Sequence, residues 1–162
     1  MQRDNCISPA LTVQGRPDAA AEIRGSCGFP DIEGTVRFYQ TQQGVLVYAD
    51  IRCLPVSGSQ VFGFHIHEGE SCTGSSGDSF ADAGQHYDRG RHRHPCHSGD
   101  LPPLFGNEGH ALMAVLTDRF CVSDIIGRTV IIHCGTDDFT SQPSGNSGEK
   151  AACGVIRRCC RT

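Results

Sequence analysis

Six histidines and one aspartate in this chain have types and spacings suited to holding metal ions. They are His65-Ile66-His67, His86, the run His94-Pro95-Cys96-His97-Ser98-Gly99-Asp100, and His133. On an extended strand, residues two apart project from the same face. His65 and His67 can therefore aim both imidazoles at one ion, while Phe64 and Ile66 turn the other way into packing. His94, His97 and Asp100 recur at three-residue intervals, and imidazole plus carboxylate is a normal zinc set at roughly 2.0–2.2 Å. His86 completes a tetrahedron there. Sets made only of imidazole also suit copper, so His65, His67, His86 and His133 form a second, redox-capable group that shares one histidine with the first. His92 is left out because His94 fits the spacing better, and His110, which follows Gly109 at the start of a strand, reads as packed or surface.

Short strands must carry these residues. The apolar runs are brief, rich in β-branched and aromatic residues, and separated by Gly, Pro, Ser and Asp, which predicts strands at 20–24, 34–40, 45–53, 61–67, 110–116, 128–134 and 152–157. Thr41-Gln42-Gln43-Gly44 is the clearest hairpin turn. Two long polar, Gly-rich connections, about 68–109 and 135–150, adjoin the histidines, and loops of that length are usually functional. Residues 1–18 lack a sustained period and read as an irregular arm. One domain follows at 19–158, with a short Cys/Arg tail at 159–162. His67-Glu68 lacks the second histidine of a zinc-protease helix, and Gly145 to Lys150 is wrongly spaced for a phosphate loop.

The formal net charge of −4 argues against a general nucleic-acid binder, which needs a strongly basic surface. Arg89, Arg91, Arg93, Arg157, Arg158 and Arg161 read as solvated loop and tail. No apolar stretch reaches the length of a membrane span, and the first residues lack the apolar core of a secretory signal. The expectation is a cytoplasmic protein. Ten cysteines sit awkwardly with a reducing compartment, and a secreted mature form is the alternative.

The residues also resemble a family. Gly63-Phe64-His65-Ile66-His67-Glu68, Ala83-Gly84-Gln85-His86-Tyr87, His97-Ser98-Gly99-Asp100-Leu101-Pro102, Gly127 through His133, and Gly145-Asn146-Ser147-Gly148 with Ala152-Cys153-Gly154-Val155-Ile156 are similar to copper/zinc superoxide dismutase. The resemblance implies an all-β fold: a Greek-key β-sandwich or flattened barrel of about eight antiparallel strands with two long functional loops. It implies a copper ion on His65, His67, His86 and His133, and a zinc ion on His86, His94, His97 and Asp100. His86 is then the bridging imidazolate, which in the family leaves copper on reduction and supplies a proton. It further implies that Asp137 links a copper-ligand and a zinc-ligand histidine, and that Cys72 and Cys153 form a disulfide. The implied activity is conversion of superoxide to O₂ and H₂O₂. The expected partner is the superoxide anion, with no nucleic acid or membrane, in a monomer or homodimer.

Two departures stand out. Lys150 occupies the position of the family's channel arginine, and lysine is a flexible, strongly hydrated point charge where arginine offers a rigid donor fork. Slower dismutation with a strong salt dependence is expected, with Lys150 beside His86 in the catalytic set. Cys96 lies between zinc ligands as a possible competitor, with Asp100 expected to prevail. The alternative reading, fed by Lys150 and the Cys159-Cys160 pair, is a non-catalytic copper-binding, storage or delivery protein on the same fold.

Overall fold

The computed structural model describes residues 15–160. The first fourteen residues of the expected arm and the last two of the expected tail lie outside the described residues. Among the described residues, ten strands run in chain order: β1 (Ala19–Gly25), β2 (Glu33–Thr41), β3 (Gly44–Arg52), β4 (Val61–Phe62), β5 (Phe64–His67), β6 (Leu104–Phe105), β7 (Ala111–Thr117), β8 (Thr129–His133), β9 (Lys150–Val155) and β10 (Arg157–Arg158). One turn of α-helix, α1 (Val122–Ile125), and a 3₁₀ turn at Ala81–Ala83 interrupt them.

β1, β2 and β3 form a meander whose two-residue turn at Gln42–Gln43 sets the pairing Thr41 to Gly44. The chain then crosses over to β5, returns to β7 beside β3, and crosses again to β8 beside β5. The result is one eight-stranded antiparallel sheet in the order β5-β8-β9-β1-β2-β3-β7, with β10 on β1 and a separate β4-β6 pair. These crossovers are the Greek-key arrangement that the resemblance implied.

Alternation does the folding work. Val45, Val47, Ala49 and Ile51 of β3 are buried while their neighbours are half-buried or, at Arg52, exposed, so the strand turns one apolar face to the core with period two. Phe38, Ile23, Leu104 and Ile156 fill the same core. β5 and β8 differ because every residue in them is buried. Phe64, Ile66, Val130 and Ile132 enter the main core, whereas Ile131 packs beneath the first long loop with Phe80, Ala83 and Cys153.

The expected strand at 61–67 breaks into β4 and β5 at Gly63. A Cβ there would lie 2.7 Å from the Ser147 side chain and 3.3 Å from that of His133, so only glycine lets the second long loop approach. Gly63 N–H donates to Gly135 O, and Gly63 O accepts from His133 N–H, both at 2.8 Å. The break thus ties β5 to the loop after β8.

Candidate functional site

β5 would be an exposed sheet edge without the first long loop, which pairs with it. Tyr87 N–H donates to Ile66 O and Ile66 N–H to Gly99 O, both at 2.8 Å. Isolated bridges join His67 to His86 and His65 to Asp100. Covering the edge therefore also delivers His86 and Asp100 to the face that carries His65 and His67. His133 joins from the adjacent strand, at a bulge between Ile132 and His133.

Hydrogen bonds fix the tautomers of His65, His67, His94 and His133. His67 Nδ1–H donates to Gly84 O at 2.9 Å, and His133 Nδ1–H to Gly148 O at 3.1 Å. His65 Nε2–H and His94 Nε2–H donate to the two oxygens of Asp137, at 2.7 and 2.9 Å. In every case the opposite nitrogen keeps its lone pair. Those nitrogens, His65 Nδ1, His67 Nε2, His94 Nδ1 and His133 Nε2, are buried without a hydrogen-bond partner among the described residues, as are His86 Nε2 and His97 Nδ1. Burying so many unpartnered polar atoms is costly, at about 1–3 kcal/mol each, unless something else binds them.

Two groups result. His65, His67, His86 and His133 can hold one ion, and His86, His94, His97 and Asp100 another, with the ligand atoms of each group within 4.8 Å of one another. His86 faces both. Its Nδ1 lies 2.7 Å from Asp100 Oδ1, while Nε2 points into the all-imidazole group. Asp100 Oδ2 lies 3.2 Å from Nδ1 of both His94 and His97. The donors fit metal ions: neutral imidazole lone pairs and a carboxylate converge with no proton between most of them.

Electrostatics favour that state. Burial pushes His133 down to about 3 and His67 well below its ordinary value. It also lowers His65, against the pull of the Asp137 hydrogen bond. Burial pushes Asp100 and Asp137 upward, but hydrogen bonds from His86 and His65 respectively overcome it and hold both carboxyls below the usual range. Neutral imidazoles and ionised carboxylates are the ligating forms.

Of the residues singled out, His65, His67, His86 and His133 come together, as do His86, His94, His97 and Asp100, with Asp137 joining the two groups and Lys150 lining the cleft beside them. Cys72 and Cys153 are disulfide-bonded. His92 is exposed on Asp88, and His110 bonds Asp50. Arg89 pairs with Asp124 at the surface, and Cys96 is exposed and in neither group. Several supports escape sequence reasoning. Gln142 clamps the His94 backbone, accepting its N–H at 3.1 Å and donating to its carbonyl at 2.7 Å. Arg119 Nη1 donates to the carbonyls of Pro95, His97 and Asp100. Gly145, at φ +68°, lies where a Cβ would fall 2.0 Å from Asp137 Oδ1, so a side chain there would displace the Asp137–His94 bond.

The comparisons agree. The family model described as copper/zinc superoxide dismutase (SODC) matches residues 32–156. The chain belongs to the copper/zinc superoxide dismutase family. The superoxide dismutase (Cu-Zn) of Escherichia coli (strain K12) is 34% identical, with 97% of this chain and 100% of that protein covered. That of Legionella pneumophila is also 34% identical, over 86% of this chain and 87% of the relative. Among solved structures, the Cu/Zn superoxide dismutase from Brucella abortus superposes with a TM-score of 0.72 at 28% identity, covering 85% of this chain and 98% of that one. Copper and zinc are the metals of this superoxide dismutase, and superoxide is its substrate. The relatives favour the enzyme over the copper-delivery alternative.

Proposed function

We propose that this superoxide dismutase holds copper on His65, His67, His86 and His133, and zinc on His86, His94, His97 and Asp100. The observation that carries the assignment is His86, which offers Nδ1 to the carboxylate-containing group and a buried, unpartnered Nε2 to the all-imidazole group. A copper ion held by His65, His67, His86 and His133 would supply one-electron redox chemistry between two superoxide anions, giving O₂ from one and, with two protons, H₂O₂ from the other.

The chain's own residues do the rest. His86 Nε2 is the one ring nitrogen of the all-imidazole group whose partner on the other side is a zinc-set ligand, so it is the atom that can carry a proton while Nδ1 stays held. Asp137 keeps His65 and His94 in fixed tautomers across the two groups. Lys150, lining the same cleft as His67, His86 and His133, supplies the positive charge that meets the anion.

Metal content and superoxide decay of the purified protein test this together. Near-equimolar copper and zinc with fast decay is the expected result. Bound copper without turnover would overturn the enzymatic assignment of these residues. Exchanging His86 for Ala should abolish turnover while His65, His67 and His133 still retain copper.

A further inference from the structure

Lys150 is the only lysine among the chain's 14 lysines and arginines. It lines a cleft of about 480 Å³ together with His67, His86, His133 and two acids, Asp78 and Glu149. Among the described residues, no other lysine or arginine lines that cleft. Its charge is not free. Lys150 Nζ donates to Asp78 Oδ2 at 2.7 Å and to Phe80 O at 3.2 Å, which uses two of its three N–H bonds.

The acceptor is itself fixed. Asp78 Oδ1 accepts Phe80 N–H at 3.0 Å, and the Asp78 carbonyl accepts from Ser75 and Ala81 N–H. One carboxylate oxygen thus closes a turn and leaves the other for the ammonium. Six residues earlier, Cys72 binds the same loop to Cys153 of β9, three residues beyond Lys150. Phe80 packs between them on Ile131 and Cys153. Loop and strand are therefore joined on both sides of an apolar contact, and the ion pair is a fixed part of the cleft.

We propose that Asp78 is a positioning residue that tethers Lys150 at the mouth of the copper channel and limits the channel's attraction for anions. The proposal rests on Lys150 as the anion-docking cation. A tethered ammonium keeps one N–H for an arriving anion and avoids the spread of positions that a free lysine would sample. Paired with a carboxylate, however, it presents a local dipole instead of a net charge, and steering depends on net positive potential. The strong salt dependence expected of an unpaired lysine is accordingly replaced by a shallow one. Removing the Asp78 charge leaves the cleft one unit more positive, a change that salt screens over about 10 Å at 0.1 M.

The test compares copper- and zinc-loaded protein with its Asp78→Asn variant, following superoxide decay from about 10 mM to about 1 M salt. The variant is expected to be about twofold faster at low salt, with a steeper salt slope, and to converge with the parent at high salt. Azide binding to the copper(II) protein, read by visible absorption, should tighten about twofold with it. In protein labelled with ¹⁵N-lysine, the single ammonium signal, sharp in the parent, should be lost to solvent exchange in Asp78→Asn. Asp78→Glu should restore the shallow slope, and Asp78→Ser, whose hydroxyl can still close the turn, provides the same comparison should Asn disturb folding. An Asp78→Asn rate equal to or below the parent at low salt overturns the proposal. Lys150→Gln separates the two levels: an unchanged rate removes the docking role of Lys150, and the proposal with it. A slowed Lys150→Gln beside an unaltered Asp78→Asn removes only the part given to Asp78.

Discussion

Asp137 divides one carboxylate between two imidazoles that belong to different groups, His65 and His94. Its effect is orientational, because it touches neither ring on the nitrogen that would face an ion. Partners of this kind typically contribute 10- to 100-fold in metal affinity. Asp137→Ala should therefore weaken retention of both metals by about tenfold or more, measured by competition with a chelator. Loss of only one metal would show that the carboxylate holds a single ring. Asp137 was legible from the family likeness alone. Gln142, Arg119, Gly84 and Gly148 were not, because they act on or through backbone carbonyls and amides, and any residue type supplies those. Nothing in side-chain chemistry distinguishes such positions until the chain is folded.

At the level of elements, the seven predicted strands all appear, and their faces follow from two-residue alternation. The misread boundaries share a cause. Among the described residues, Val61–Phe62 and Leu104–Phe105 pair only with each other, and Arg157–Arg158 pairs only with the start of β1. Such short pairings depend on tertiary placement, which leaves no periodic trace. The two long loops were legible as functional, but not as the cover for the edge of β5. Their anchoring makes a prediction. The Cys72–Cys153 disulfide spans 81 residues, a closure that stabilises by about 4 kcal/mol in the chain-entropy model. Replacing both cysteines with Ala should lower the denaturation free energy by up to that amount, read from urea unfolding. Amide exchange should speed up around Phe80 and Ala83, which share the apolar cluster with Cys153. Unchanged exchange there would mean that Ile131 alone holds the loop.

The molecule as a whole is most exposed to acid when it carries no metal. His133 titrates at about 3 when folded, against an ordinary value of about 6.5. Between those limits the unfolded chain binds a proton that the fold refuses, so stability rises with pH through the window and falls as pH drops. His65 and His67 act in the same direction. Asp100 and Asp137, held below their ordinary range, add a further loss at lower pH, since their contribution is present above the unfolded carboxylate pKa and disappears on protonation. Chelator-treated protein should thus melt several degrees lower at pH 5 than at pH 7, by calorimetry, and a flat profile would contradict the buried neutral histidines. Metal-loaded protein should melt higher at both, because ions that bind only the folded chain stabilise it by mass action. One consequence remains in β5, where Phe64 and Ile66 enter the core and His65 and His67 face the all-imidazole group. A slip of one residue would exchange the two sets, placing imidazoles among the aliphatics and a phenyl ring at the metals. The strand has no tolerable misalignment, so the choice of correct pairing during folding is also the moment at which the enzyme acquires its chemistry.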